Sequence, residues 1–368
     1  MSDQPGSMPR RGVDGGAAPA VDGSGNVYLT TGNGADGSQG STEYSNSVLR
    51  LTEMGLQDFY SPPDYHWLNI GGTVACTNPN PTSCSSPCGW DVTHHYCQVG
   101  VIDDWDLGAG GVLLLSPSFS IQYPELVTGG KQGMLYTVFA GGNNMGQIDQ
   151  NGFSPNSQEY ACTNVTTPTS GAIPQCFHSL AGGVHGVPAF LGGTSSQNTN
   201  QMYVATAHDT LKAFQLSSTG LFSTTPATPT SGHVFGYPGA IPSVSWDSSA
   251  TGSISDAIVW TLDTNPYGQD YYSSSPAAAG PAVTYSYAAA PSGTSLGSSL
   301  WDTSTYNTSN PGNPGAVRFV VPTIADARIF IAGGTQGYYP DDPTTGTCLA
   351  PVAGTSNPTA CGAITMYK

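Results

Sequence analysis

The chain has 368 residues, enough to bury a large core in roughly one to three domains. Its 8 basic against 24 acidic residues give a net charge of −16, which excludes the basic footprint of a DNA- or RNA-binding protein and disfavours an anionic membrane surface. With 48 Gly, 29 Pro and only 9% charged residues, long helices are not expected, while 38% hydrophobic and 10% aromatic residues exclude a chain disordered throughout.

In chain order, residues 1–14 predict a disordered or appended head, and residues 15–368 a single all-β domain. A module then recurs. A small residue, often followed by Pro, opens a short apolar strand; a turn, a strongly β-forming strand and a further strand follow. The first copy is GGAAPAVDGSGNVYLTTGNG (Gly15–Gly34), closing with Ser47–Leu51, and its Asp22-Gly-Ser-Gly25 predicts a hairpin turn. A looser second copy runs over Leu107–Pro117 and Glu125–Phe139. The third surrounds Pro188 and continues through Gln201–Phe214; the fourth surrounds Pro242 and continues through Asp256–Asp263; the fifth is Val320–Gly334, ending in Ala363–Tyr367.

Each copy reads as a three- or four-stranded antiparallel meander that cannot bury both faces alone. Radial stacking of copies would bury them, so the predicted fold is a β-propeller of four-stranded blades. Five copies are visible, and a ring of about six or seven blades is admitted. A β-sandwich is the alternative. The copies are about 55–90 residues apart, longer than a minimal blade. The excess is assigned to Gly/Ser/Pro-rich insertions, including Ser217–Ser231 and Ser273–Thr303, and to a Cys-rich insertion at 76–97.

The segments APAVDGSGNVYLTTGNG, NSVLRL, DWDLGAGGVLLL, LVTGGKQGMLY, TLKAF, FGYPGAIPS and VPTIADARIFI resemble the PQQ-like β-propeller repeat proteins of bacteria, in particular secreted members of unknown function. The resemblance covers most of residues 15–368 and implies the propeller fold, with this chain short at its N-terminal end. A quinoprotein dehydrogenase of that kind holds its quinone with a vicinal disulfide, a Trp platform and calcium. The chain has no Cys-Cys pair, so PQQ is not expected.

The candidate sites follow from residue chemistry. Asp103, Asp104 and Asp106 in DDWDLGAGG offer hard oxygen ligands for calcium, or else cap turns and pair with Lys131. His185 in GGVHGVPAF and His208 in ATAHDTLKAF flank inner strands. With Asp104, Asp106 and Lys131 they form the catalytic candidates of a central channel, or else satisfy backbone groups along it.

Cys76, Cys84, Cys88 and Cys97 are spaced C-x7-C-x3-C-x8-C, which lacks paired zinc knuckles and points to disulfides. Cys162, Cys176, Cys348 and Cys361 complete an even set of local pairs, which suggests an oxidising, secreted or periplasmic setting. Tyr65, Trp67, Trp90 and Trp105 are candidate ligand-binding aromatics, because such rings stack on sugars in a chain this low in charge. Gly293-Thr-Ser-Leu-Gly297 has the letters of a nucleophile elbow without the helix that the elbow requires.

The sequence therefore predicts an extracytoplasmic binding or assembly module for a neutral polysaccharide or a protein. The alternatives are a carbohydrate-active, hydrolase-like enzyme with its site in the channel and, more weakly, a PQQ-dependent dehydrogenase. Self-association is admitted, membrane insertion and nucleic acid are not, and calcium is the candidate cofactor.

Overall fold

A computed structural model of the chain describes residues 18–32, 44–62, 106–115, 125–140, 145, 175–177, 179–192, 200–218, 220–246, 256–267, 279–304, 313–334 and 362–367. The regular elements among the described residues are strands, apart from one 3-10 turn at Leu107–Ala109.

The first sheet is an antiparallel meander of β1 (Ala20–Val21), β2 (Val27–Thr30), β3 (Val48–Thr52) and β4 (Gly55–Tyr60). The hairpin expected at Asp22 is present. The Asp22 carboxylate accepts from the backbone N–H groups of Ser24 at 2.8 Å and Asn26 at 2.9 Å, and Gly25 takes the φ of +81° that closes the turn. These bonds hold the Asp22 carboxyl below its usual range, although burial alone would raise it. The second sheet repeats the order with β5 (Val112–Leu115), β6 (Glu125–Gly129), β7 (Leu135–Phe139) and β8 (Gln175–Phe177).

The third sheet holds β9 (Ala189–Leu191), β10 (Gln201–Thr206) and β11 (Lys212–Gln215). Beyond β11, Ala213 and Ala227 exchange both backbone bonds at 2.8 Å, just ahead of β12 (Thr228–Pro229). β13 (Gly239–Ala240) then pairs with the last two residues of β10. The fourth sheet orders β14 (Ser243–Ser245), β15 (Ile258–Asp263) and β16 (Val283–Ala288), skips β17 (Ser295–Gly297), which pairs in parallel with β12, and ends on β18 (Trp301–Asp302). The fifth has three strands, β19 (Thr323–Ala325), β20 (Arg328–Gly334) and β21 (Gly362–Tyr367).

Contacts divide the chain into two compact units, Met1–Val187 with Ser217–Thr224, and Pro188–Leu216 with Thr225–Lys368. In the first unit, strand alternation sends Tyr28, Val48 and Tyr60 of the first sheet against Val112, Leu126, Tyr136 and Val138 of the second. In the second unit the fourth sheet is covered on both faces. Val259 and Tyr287 pack with Tyr203, Ala213 and Phe235, while Leu262 packs with Ile329, Ile331 and Tyr367 from the fifth sheet. Two sheet faces are less covered. Val27, Leu29, Leu49, Leu51, Leu56 and Phe59, on the outer face of the first sheet, are half-buried. Ile364 and Met366, on the outer face of the fifth, are 73% and 49% exposed.

Five sheets thus stand where the five sequence copies lie. Two segments read as insertions are in part structural. Val283–Ala288, inside Ser273–Thr303, is the long central strand β16, and Thr228–Pro229, inside Ser217–Ser231, is β12. Thr-Tyr-Ser-Tyr alternates as a strand should, but the Ala, Gly and Ser around it mask the signal. No described helix is long and apolar enough to cross a membrane.

Candidate functional site

The chain entering each later sheet runs across the ends of second strands, and glycines make that approach possible. A Cβ at Gly130 would lie 2.5 Å from the carbonyl oxygen of Asp106, and one at Gly183 would lie 2.6 Å from the Lys131 backbone. Charged side chains gather at these same ends.

In the first unit, Asp106 precedes β5 and Lys131 follows β6. Backbone bonds fix both: Lys131 N–H donates to the Asp106 carbonyl at 3.1 Å, and Leu107 N–H donates to Asn46 Oδ1 at 2.8 Å. Lys131 Nζ then meets Asp106 Oδ2 at 2.6 Å, with the two side chains 17% and 3% exposed. This is a largely desolvated pair held by backbone geometry. The segment carrying His185 crosses the same turn, since Val184 N–H donates to the Gly130 carbonyl at 2.9 Å. His185 is buried, with Nδ1 3.1 Å from the Gly183 carbonyl.

In the second unit the turn after β10 holds a pair of the same length but closer in sequence, Lys212 Nζ to Asp209 Oδ2 at 2.6 Å. His208, in that turn, is exposed at φ +60°, and its N–H donates to the Phe235 carbonyl at 2.7 Å. At the end of β15, Asp263 Oδ2 lies 2.7 Å from His233 Nε2. The His233 ring stacks on Tyr285 at 4.4 Å between centroids and meets the edge of Phe235 at 5.0 Å. Burial, reinforced by the Asp263 and Asp302 carboxylates, pushes the Tyr285 phenol up to about 12, so it is a neutral hydrogen-bonding group. The imidazole is therefore oriented by one carboxylate and two rings, an arrangement that fixes a tautomer.

A different kind of acid lies inside the second sheet. Glu125 opens β6 and is 1% exposed. Its Oε1 has no hydrogen-bond partner. Burial pushes its carboxyl up to about 7, against a weaker opposing bond with Thr137. On the same sheet face, the Gln175 amide clamps one residue of the Ser217–Thr224 segment. Gln175 Nε2 donates to the Phe222 carbonyl at 2.7 Å, and Phe222 N–H donates to Gln175 Oε1 at 2.8 Å.

Of the sequence candidates, the structure brings Asp106 and Lys131 together, runs the His185 segment across their turn, and places His208 in the second unit. Asp103, Asp104, Tyr65, Trp67, Trp90 and Trp105 lie outside the described residues, as do Cys76, Cys84, Cys88, Cys97, Cys162, Cys348 and Cys361. The backbone of Cys176 pairs with Tyr136 in β8. Among the described residues no three His, Cys, Asp or Glu side chains gather as a metal site, and the Asp106 carboxylate already serves a lysine. Sequence reasoning did not single out His233, Asp263 or Glu125. His233 stands two residues before FGYPGAIPS and meets Asp263 only through tertiary packing.

No protein-family model matches the chain, and no curated protein matches it. The functional reading therefore rests on the residues and their geometry.

Proposed function

We propose that this chain is an extracytoplasmic binding or assembly module in which the five sheets are blades of a PQQ-like β-propeller, with a polysaccharide as its ligand. One observation carries the choice of binding over hydrolysis. Asp106, Asp209 and Asp263, at the strand ends, each hold Lys or His within 2.7 Å. Glycoside hydrolysis generally needs two carboxyl groups poised on either side of the scissile bond, one of them as a proton donor. Carboxylates already paired with a lysine or a histidine are poorly suited to that pair of roles. The same ends carry half-buried rings, Tyr237, Tyr267 and Tyr285, of the kind that stack on sugars.

Assembly is supported by the outer sheet faces. Leu29, Leu49, Leu51 and Phe59 on one, and Ile364 and Met366 on the other, are apolar surfaces of the sort that mark association.

Native affinity electrophoresis through gels containing neutral and acidic polysaccharides tests the binding reading. Retardation by at least one polysaccharide is expected, weakened by Tyr237→Ala. Unchanged mobility in every gel would overturn it.

A further inference from the structure

We propose that Arg318, set against Tyr267 and Tyr237, is a carboxylate-recognition site for a uronic acid residue of a sparsely charged polysaccharide. The inference rests on the polysaccharide-binding reading above.

The eight basic residues of the chain are used unevenly. Lys131 and Lys212 are each neutralised by an aspartate at 2.6 Å. Arg318 is instead held by aromatic rings. Its Cζ lies 3.6 Å from the Tyr267 ring centroid and 5.5 Å from that of Tyr237. The two rings meet at 6.4 Å and 66°, forming a corner. A separation of 3.6 Å is that of a guanidinium stacked on Tyr267, an arrangement that turns its N–H edge along the ring plane rather than into it. No described carboxylate pairs with that edge. All three side chains are half-buried, and Asn265, Pro266 and Val317 at the rim are exposed. Arg318 is therefore partly open to solvent beside an exposed rim.

The backbone fixes this geometry from several sides. Two residues before Val317, Gly315 exchanges bonds with Gly334 at 2.8 and 2.9 Å, and Ala316 N–H donates to the Gly280 carbonyl at 2.8 Å. Tyr267 N–H donates to the Thr264 carbonyl at 3.0 Å, and Gly280 N–H to the Pro266 carbonyl at 2.7 Å. Phe319, directly after Arg318, sits at φ +63°, a left-handed conformation that a bulky residue adopts only under constraint and that recurs at binding sites. A pre-set guanidinium whose in-plane fork meets no carboxylate among the described residues matches the two oxygens of a carboxylate. Little ordering cost remains at binding.

The net charge of −16 chooses among carboxylate bearers. A densely anionic polymer would be repelled by the molecule as a whole, whereas an isolated uronate among neutral sugars would not. The tyrosine hydroxyls and Asn265 suit the neutral hydroxyls of neighbouring sugars.

The test titrates the full chain with xylotetraose bearing a single glucuronate and with unsubstituted xylotetraose. The acidic oligosaccharide is expected to bind about ten-fold more tightly, with an advantage that shrinks as salt rises from about 0.05 to 0.5 M. Arg318→Gln should erase the difference, and Arg318→Lys should keep only part of it. Thermal unfolding of each variant separates binding from a structural tether. An affinity that is unchanged in Arg318→Gln, while its melting temperature falls, overturns the proposal. Equal binding of the two oligosaccharides also overturns it and leaves the wider binding reading standing. So does an absence of oligosaccharide binding in a chain that polysaccharide gels still retard. Competition by an acidic peptide at the concentration at which the glucuronate acts would assign the site to a protein partner and overturn it as well. Failure of every gel and both titrations sinks the two readings together.

Discussion

The two units differ in how they partner buried charge. In the first, charged groups are interior: Asp106 and Glu125 are 3% and 1% exposed, one with a lysine at 2.6 Å and the other with no cation paired to it among the described residues. In the second, Asp209 with Lys212 is buried to a similar degree but lies within one turn, three residues apart, while His233 with Asp263 and Arg318 on its tyrosines are the more open groups. The same attraction between unlike charges therefore does different work. Where water is excluded, losing a partner is expensive and the pair fixes the fold. Where water remains, a pair contributes little stability, and its groups are available to a ligand.

The contrast breaks most sharply at Asp106. Asp106→Ala takes the carboxylate from the mostly buried Lys131 ammonium, and chemical unfolding should show a loss of about 3 kcal/mol. A loss under about 1 kcal/mol would mean that the first unit tolerates charge as the second does.

Glu125 gives the next largest effect. Its carboxyl titrates near 7 when folded, against an ordinary 4.5, so the folded chain retains a proton that the unfolded chain has lost. Stability is then greatest below about pH 4.5, falls as pH rises through 7, and levels off above it, a total of about 3 kcal/mol from this group. Glu125→Gln carries no titrating proton and should remove that slope, which unfolding midpoints at pH 5, 6, 7 and 8 would reveal. A slope that survives in the variant places the titration elsewhere.

The smallest effect belongs to the second unit. Lys212→Met should change stability by less, about 1 kcal/mol, since the pair with Asp209 is local and the Asp209 carboxylate keeps the Thr210 N–H at 2.8 Å. A loss as large as that of Asp106→Ala would erase the distinction between the units.

The fold was legible where strands are apolar and continuous. Val27–Thr30, Leu135–Phe139, Gln201–Thr206 and Ile258–Asp263 stand out by their Val, Ile, Leu and Tyr content. β8 was not, because three residues far from their partner strand carry no pattern of their own. β4 has Asp58 in its interior, a polar residue that is buried because its carboxylate accepts from Met145 N–H at 2.9 Å. The pairing of Asp106 with Lys131 was readable as one of two alternatives, since both flank repeat strands. Glu125 was not, for a carboxylate in a strand ordinarily faces water and only the packed sheet shows otherwise. Arg318 depends on Tyr237, Tyr267 and its own segment meeting, a coincidence that no local spacing encodes.

The Gln175 clamp on Phe222 has a bearing on how the chain is made. Ser217–Thr224 belongs to the first unit, yet it follows Pro188–Leu216, which belongs to the second. During synthesis, which proceeds at about 5–20 residues per second, the first unit cannot be finished when Val187 leaves the ribosome. Until Phe222 arrives, the Gln175 amide has no backbone to hold. The nascent chain must therefore carry an incomplete first unit while strands of the second are already emerging, and the two are committed to maturing together.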